Sequence, residues 1–176
     1  MPSLPFADLA ALSAGLLVGR LVLGLLMAAH GTQKLFGWFG GHGLAGTGGF
    51  FESLGFRPGR AFAAAASLTE IGGGLLVALG FLGPVGPALI ISVMIVAALT
   101  VHWGHGLLST SNGIEVPLLY AAGALALALT GYGAYSLDAL LGLQPLWTPS
   151  VAWAAIGLGI VGGVANLFAR RAPATA

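Results

Sequence analysis

The sequence contains no cysteine and very little charge. Among its 176 residues there are 6 Lys and Arg and 5 Asp and Glu, so that only 6% of the chain is charged, whereas soluble domains carry about 25%. The lack of cysteine excludes disulfides, thiol nucleophiles and cysteine-ligated iron–sulfur clusters. So few charges cannot cover a surface that faces water, and we therefore predict an integral protein of the lipid bilayer. The formal charge of +1 gives no reason to expect a nucleic-acid partner.

Long apolar runs dominate what is present. A helix needs about 20 mostly apolar residues to cross the hydrocarbon core of a bilayer. The chain offers five such runs, at residues 9–36, 60–82, 88–103, 115–133 and 151–168. The "GPVGP" stretch at residues 83–87 predicts a tight connection, because glycine and proline interrupt helices. The predicted fold is an all-α, polytopic membrane helix bundle: four helices, and a fifth at the C-terminus.

The basic residues predict an orientation. With five spans, one side of the membrane receives all of them except Arg20, namely Lys34, Arg57, Arg60, Arg170 and Arg171. Cytoplasmic loops carry the excess of lysine and arginine in membrane proteins. We therefore expect the N-terminus outside and the C-terminus in the cytoplasm.

Five polar side chains in or beside the predicted spans are candidate ligand-binding residues, namely Arg20, His30, Lys34, Glu70 and His102. At about 1.5 Å per residue, Lys34, His30, Glu70 and Arg20 follow one another inward from the basic side. An arginine in the middle of the membrane costs about 2.5–3.5 kcal/mol and needs a partner. Glu70 is the natural candidate for that partner. Two interpretations stay open: a structural ion pair between the first two spans, or a polar cavity for a proton, a quinone headgroup or a small solute.

The loop at residues 37–59 is rich in glycine and phenylalanine. Such aromatic residues favour a membrane interface, so the stretch from Thr47 to Phe56 predicts a short interfacial or re-entrant helix capped by Thr47. This helix is expected either to cover the polar end of the bundle like a lid or to serve as a plain interfacial anchor.

Metal and oligomer sites have weaker support. His102 and His105 are three residues apart, but no third ligand with suitable spacing follows, so we predict no metal site. Gly15 and Gly19 form a G-x-x-x-G pair, as do Gly159 and Gly163. Small residues let membrane helices approach closely, which predicts tight packing within the bundle or, alternatively, a homo-oligomer through the last helix.

Several motifs in order resemble the DoxX family of membrane proteins. They are the run "GRLVLGLLMAAHGTQKLFGWFGGHGLAGTGGFFESLGF", the glycines after Glu70, "NGIEVPLLY" and "GYGAYSLD". The resemblance covers residues 14–140 and implies a four-helix membrane domain at residues 1–140 that includes the loop at 37–59. Residues 141–176 then form a C-terminal extension with the fifth helix at 151–168 and a short basic tail.

The resemblance also implies a function. DoxX-like proteins are linked to a membrane subunit of a thiosulfate:quinone oxidoreductase and to redox complexes. We therefore expect a multi-pass protein of a bacterial cytoplasmic membrane that works with redox partner subunits and binds a quinone headgroup in its polar pocket. Nothing in the sequence indicates catalytic residues or an enzyme that acts alone. The alternatives are a small-solute or proton pathway, and a non-catalytic membrane anchor or assembly protein.

Overall fold

The computed structural model describes residues 9–171, which are helical and contain no β-strand. The helices are α1 (Leu9–Phe36), α2 (Gly43–Ser53), α3 (Gly59–Leu79), α4 (Val85–Ala97), α5 (Glu115–Thr130), α6 (Leu137–Leu140) and α7 (Pro149–Phe168). A π-helical turn (Ala98–His102) and a 3-10 turn (Trp103–His105) continue α4. The predicted all-α membrane helix bundle is thereby confirmed.

Five helices run the length of the bundle, namely α1, α3, α4, α5 and α7. Four helical stretches are long and apolar enough to cross a membrane: Leu9–Phe36, Gly59–Leu79, Val85–His105 and Pro149–Phe168. The helix predicted in the C-terminal extension is thus one of these four. The remaining helix, α5, has 16 residues, or about 24 Å at 1.5 Å per residue. It ends at Thr130 rather than at the predicted Gly133, because Gly131 takes a positive φ of 74° and turns the chain.

Small residues bring α1 and α3 together as an antiparallel pair. A methyl group added to Gly24 would lie 2.4 Å from the carbonyl oxygen of Gly74, and one added to Gly31 would lie 2.6 Å from that of Ser67. Only a glycine therefore fits at either position of α1. The two contacts also fix the register of the pair. Gly24 faces Gly74, and Gly31, seven residues later on α1, faces Ser67, seven residues earlier on α3.

The helices α4 and α7 pack in the same way. A methyl group added to Gly159 would lie 2.5 Å from the Ala88 carbonyl oxygen, and one added to Gly163 would lie 2.7 Å from that of Ser92. The second G-x-x-x-G pair therefore serves packing within the chain, which is the first of the two uses that small residues predict. By contrast, nothing lies within 4 Å of a methyl group added to Gly15 or Gly19.

The apolar core fills the middle of the bundle between α1, α3, α4, α5 and α7. Its members include Met27, Val77 and Ile90, which are fully buried, together with Leu127 and Ile156. This core separates two polar regions, one at each end of the helices. The contacts at those ends determine where chemistry can take place.

Candidate functional site

The C-terminal ends of α1, α4 and α7 meet α2 and the start of α3 at one end of the bundle. We call it the basic end, because it carries Lys34, Arg57, Arg60, Arg170 and Arg171. The end of α7 is tied to the loop after α2: the amide of Arg171 donates a hydrogen bond to the Gly55 carbonyl at 2.8 Å. The Arg170 Nε atom donates to the Leu54 carbonyl, also at 2.8 Å. The side on which the sequence gathers the basic residues is therefore a single surface.

A cavity of about 440 Å³ lies inside the basic end. Its polar side chains come from α1, the following loop, α2, α3, α4 with its π-helical turn, and α7. They are Gln33, Lys34, His42, Thr47, Thr69, Ser92, Thr100, His102 and Asn166. Its aromatic side chains come from α2, the following loop and α3, and include Phe50, Phe51, Phe56 and Phe62. The cavity therefore joins an apolar wall to a few polar groups, as ligand pockets of about 300–1,000 Å³ typically do.

The helix α2 closes one side of this cavity. It begins at Gly43, four residues earlier than predicted, and Thr47 lies inside it rather than at its cap. The Thr47 hydroxyl instead donates to the Lys34 carbonyl at 3.2 Å, which ties α2 to the end of α1. The Glu52 carboxylate accepts a hydrogen bond from the Gly59 amide at 3.1 Å. The loop at 37–59 thus forms a wall that is held at both ends.

Lys34 reaches the cavity from α1 and forms an ion pair with Glu70 of α3. The Lys34 Nζ atom donates to Glu70 Oε1, the one salt bridge found between side chains of residues 9–171. The Lys34 side chain is 30% exposed whereas Glu70 is fully buried. The second carboxylate oxygen of Glu70 has no hydrogen-bond partner. Glu70 therefore lies directly behind the lysine that faces the cavity.

His102 is presented to the cavity by the π-helical turn of α4, a local widening that often marks functional positions. Its Nδ1 atom lies 2.8 Å from the carbonyl oxygen of Asn112. Because a carbonyl only accepts hydrogen bonds, Nδ1 carries the proton. In the imidazole tautomer with the proton on Nδ1, Nε2 has a lone pair that can accept a hydrogen bond. The cavity therefore contains an ammonium donor and an imidazole acceptor.

His30 does not join this group. It is exposed on the other side of α1, where its ring meets the edge of Tyr120 with the ring centres 5.7 Å apart. It does not line the cavity. The continuous polar line from Lys34 through His30 and Glu70 to Arg20 is therefore wrong.

The predicted ion pair between Arg20 and Glu70 is also wrong. The Arg20 guanidinium donates to the Ala78 carbonyl at 2.9 Å and to the Tyr135 carbonyl, at the other end of the bundle. Side chains tilt toward the N-terminus of their own helix. In an antiparallel pair Arg20 and Glu70 therefore lean apart, while Lys34 and Glu70 lean toward each other.

Some polar residues of the cavity carry no charge, and the pattern of charged residues in the sequence does not point to them. Ser92 of α4 and Asn166 of α7 are two polar residues on the cavity lining. Each is an isolated polar residue within an apolar helix, which is the signal that could have pointed to them. Of the five candidate residues, the structure places Lys34 and His102 on the cavity, with Glu70 behind Lys34.

The chain was compared with known proteins. The sequence model of the DoxX family matches residues 15–103. The chain is 32% identical over 127 residues to the Inner membrane protein YqjF of Escherichia coli (strain K12), which covers 72% of this chain and 92% of that protein. No solved structure matches significantly. The family match spans more than half of the chain, from the middle of α1 to the turn that carries His102, and the chain therefore belongs to the DoxX family of membrane proteins.

Proposed function

We propose that this protein is a membrane subunit of a quinone-linked redox system and that the cavity at the basic end binds the quinone headgroup. The observation that carries the proposal is the combination of an aromatic, apolar wall with Lys34 and His102 in one cavity of about 440 Å³. A quinone headgroup is a flat ring with two carbonyl oxygens, so it suits a pocket that is apolar on its faces and polar at a few points.

The two polar groups suit the two redox forms of such a ligand. The Lys34 ammonium can donate a hydrogen bond to a quinone carbonyl. The free lone pair of His102 Nε2 can accept one from the hydroxyl of the reduced form. The Glu70 carboxylate stabilises the charge on Lys34 from behind. The reduction adds two electrons and two protons to the quinone; in this proposal a redox partner subunit supplies the electrons, and water at the basic end supplies the protons.

The architecture favours the binding of a ligand over the passage of a solute or a proton through the protein. A route from the cavity to the other end of the bundle would have to cross the apolar core. Met27, Val77 and Ile90 of that core are each 0% exposed. A pocket that does not continue through the core holds a ligand at one end of the membrane, so we propose a binding subunit that is no enzyme on its own.

The test is a titration of the purified full-length chain in lipid nanodiscs with decylubiquinone, with empty nanodiscs as the reference for partitioning into lipid. We expect saturable binding by the wild type. His102→Leu removes the acceptor for the hydroxyl of the reduced form, so a parallel titration with decylubiquinol under reducing conditions should show binding weakened about five- to tenfold, the effect of one lost hydrogen bond. His105→Leu is the matched control, since His105 lies on the next turn of the chain, the 3-10 turn Trp103–His105, and does not line the cavity.

Lys34 needs a different design, because removing it alone leaves Glu70 buried without a partner. The double variant Lys34→Met with Glu70→Leu removes both charges together, and Arg57→Met removes one cation from the same end as a control. Of these two variants, we expect only the double variant to bind decylubiquinone more weakly than the wild type. Equal binding by the wild type, His102→Leu and the double variant would refute the proposal.

A further inference from the structure

A second cavity, of about 270 Å³, lies at the opposite end of the bundle. This end of the bundle is formed by the turn at residues 80–84 and the segment 131–148, and we call it the opposite end. None of the residues that line the first cavity lines the second. The two cavities are separated by the apolar core, so the second one needs an explanation of its own.

The walls of the second cavity are held by buried polar contacts. The Asp138 carboxylate, 2% exposed, accepts hydrogen bonds from the amides of Leu82 at 2.9 Å and Gly83 at 2.7 Å. The Trp147 indole packs directly on Gly83, where an added methyl group would lie 2.3 Å from the ring. From the other side, Arg20 binds the Tyr135 carbonyl. The cavity is therefore built into a well-fixed part of the fold.

Two hydrogen-bond donors on this cavity have no partner. Tyr132 is 4% exposed, and its hydroxyl is buried without a hydrogen bond. The Nε1 atom of Trp147 is buried and unpartnered as well. Both residues line the cavity. Buried polar groups are hydrogen-bonded in the large majority of cases, so two such donors around one hollow indicate that something with acceptor atoms occupies it.

We propose that the second cavity binds a small, uncharged compound through a carbonyl oxygen, held by the Tyr132 hydroxyl and the Trp147 indole N–H. An indole N–H can only donate, so it requires an acceptor. The one charged residue on the lining is Asp138, and its carboxylate disfavours an anion. A cation would leave both donors unpaired. A neutral acceptor gives both donors a partner and adds no negative charge beside Asp138.

The protonation state of Tyr132 agrees with a donor role. Burial raises the pKa of its phenol above the ordinary value, and the nearby Asp138 carboxylate raises it further. The hydroxyl therefore keeps its proton at neutral pH and can donate it to a ligand.

The exposure of the other tryptophans gives a direct test. Trp38, Trp103 and Trp153 are 58%, 65% and 58% exposed, so replacing all three by phenylalanine leaves Trp147 as the single fluorescent reporter in the full-length chain. This protein is titrated with 2-pyrrolidinone, a neutral ring with one carbonyl oxygen. Pyrrolidine, the same ring as a cation without the carbonyl, and acetate, an anion, serve as comparison probes. We expect a saturable change in Trp147 emission with 2-pyrrolidinone alone.

Two variants locate the binding. Tyr132→Phe removes only the hydroxyl and should weaken 2-pyrrolidinone binding about fivefold, the effect of one neutral hydrogen bond. Tyr135→Phe removes a hydroxyl from the same segment, is 53% exposed and should change nothing. Lys34→Met with Glu70→Leu should also leave this response intact, which separates it from the quinone proposal. A response without saturation, equal binding by Tyr132→Phe, or saturation by acetate or pyrrolidine would overturn the assignment.

Discussion

Glu70 and Arg20 show how side-chain direction selects partners inside the bundle. Glu70 is fully buried and pairs with Lys34. Arg20, 3% exposed, instead binds the carbonyl of Ala78 near the end of α3. The last carbonyls of a helix lack intrahelical donors and carry partial negative charge, so a buried cation is stabilised there. Each charge is therefore stabilised by its own partner: Glu70 by Lys34, and Arg20 by the Ala78 carbonyl.

A double-mutant cycle tests this separation at the residue scale. Lys34→Met and Glu70→Gln, alone and combined, should show a coupling energy of about 1–3 kcal/mol, because the two side chains are in contact. Arg20→Met and Glu70→Gln should couple by less than about 0.5 kcal/mol, since their sites lie about 12 Å apart along the helices. The measurement is the free energy of unfolding in mixed SDS micelles. A larger coupling for the second pair than for the first would contradict the assignment.

At the scale of elements, glycines set the distance between helices. Gly24, Gly31 and Gly74 bring α1 and α3 into backbone contact. Gly159 and Gly163 do the same for α7 against α4. Membrane helices gain little from apolar burial against one another, so close backbone packing is a main source of their association. The spacing of Gly24 and Gly31 therefore fixes the register of α1 against α3, and this register places Lys34 near Glu70.

The matched substitutions Gly24→Ala and Gly19→Ala test this role. Gly24→Ala places a methyl group 2.4 Å from a backbone oxygen of α3 and should destabilise the protein by about 1–3 kcal/mol through overpacking. Gly19→Ala meets nothing within 4 Å and should be neutral or stabilising by up to about 1 kcal/mol, because alanine favours the helix. The measurement is the free energy of unfolding of the two variants relative to the wild type. A similar loss in both would show that the α1–α3 contact is not the cause.

At the scale of the whole molecule, the two ends differ in charge and in chemistry. The basic end holds five cations and the larger cavity, and the opposite end holds Asp138, the Arg20 guanidinium and the smaller cavity. Since lysine and arginine accumulate on the cytoplasmic side, we expect the basic end to face the cytoplasm. The proposed quinone site would then lie at the cytoplasmic leaflet and the proposed second site at the outer one.

The absence of cysteine makes this orientation easy to measure. Leu140→Cys places a thiol at the opposite end, where Leu140 is 78% exposed. His105→Cys places one at the exposed basic end. A membrane-impermeant maleimide should label the first variant in intact cells and the second only after lysis. Labelling in the reverse order would place the basic end outside.

Much of the fold follows from composition and pattern. The scarcity of charge predicts the membrane. Four of the five apolar runs correspond to helices long enough to span it, and the fifth corresponds to the shorter α5, which ends just before Gly131. The boundaries of α2 were harder to predict, because its first residues are glycines and Thr47 resembles a cap. Only its contact with Lys34 shows that Thr47 lies within the helix.

The amino-acid sequence by itself determined that this chain is a helical membrane protein, where its apolar helices lie, and that Lys34 and His102 come to the same end. The tertiary structure alone decided that Lys34 and not Arg20 pairs with Glu70, that His30 faces away, and that two cavities exist. Composition and periodicity are local properties of one helix. Which side chains meet depends on the register and rotation of neighbouring helices, and these are set by contacts such as that between Gly24 and Gly74.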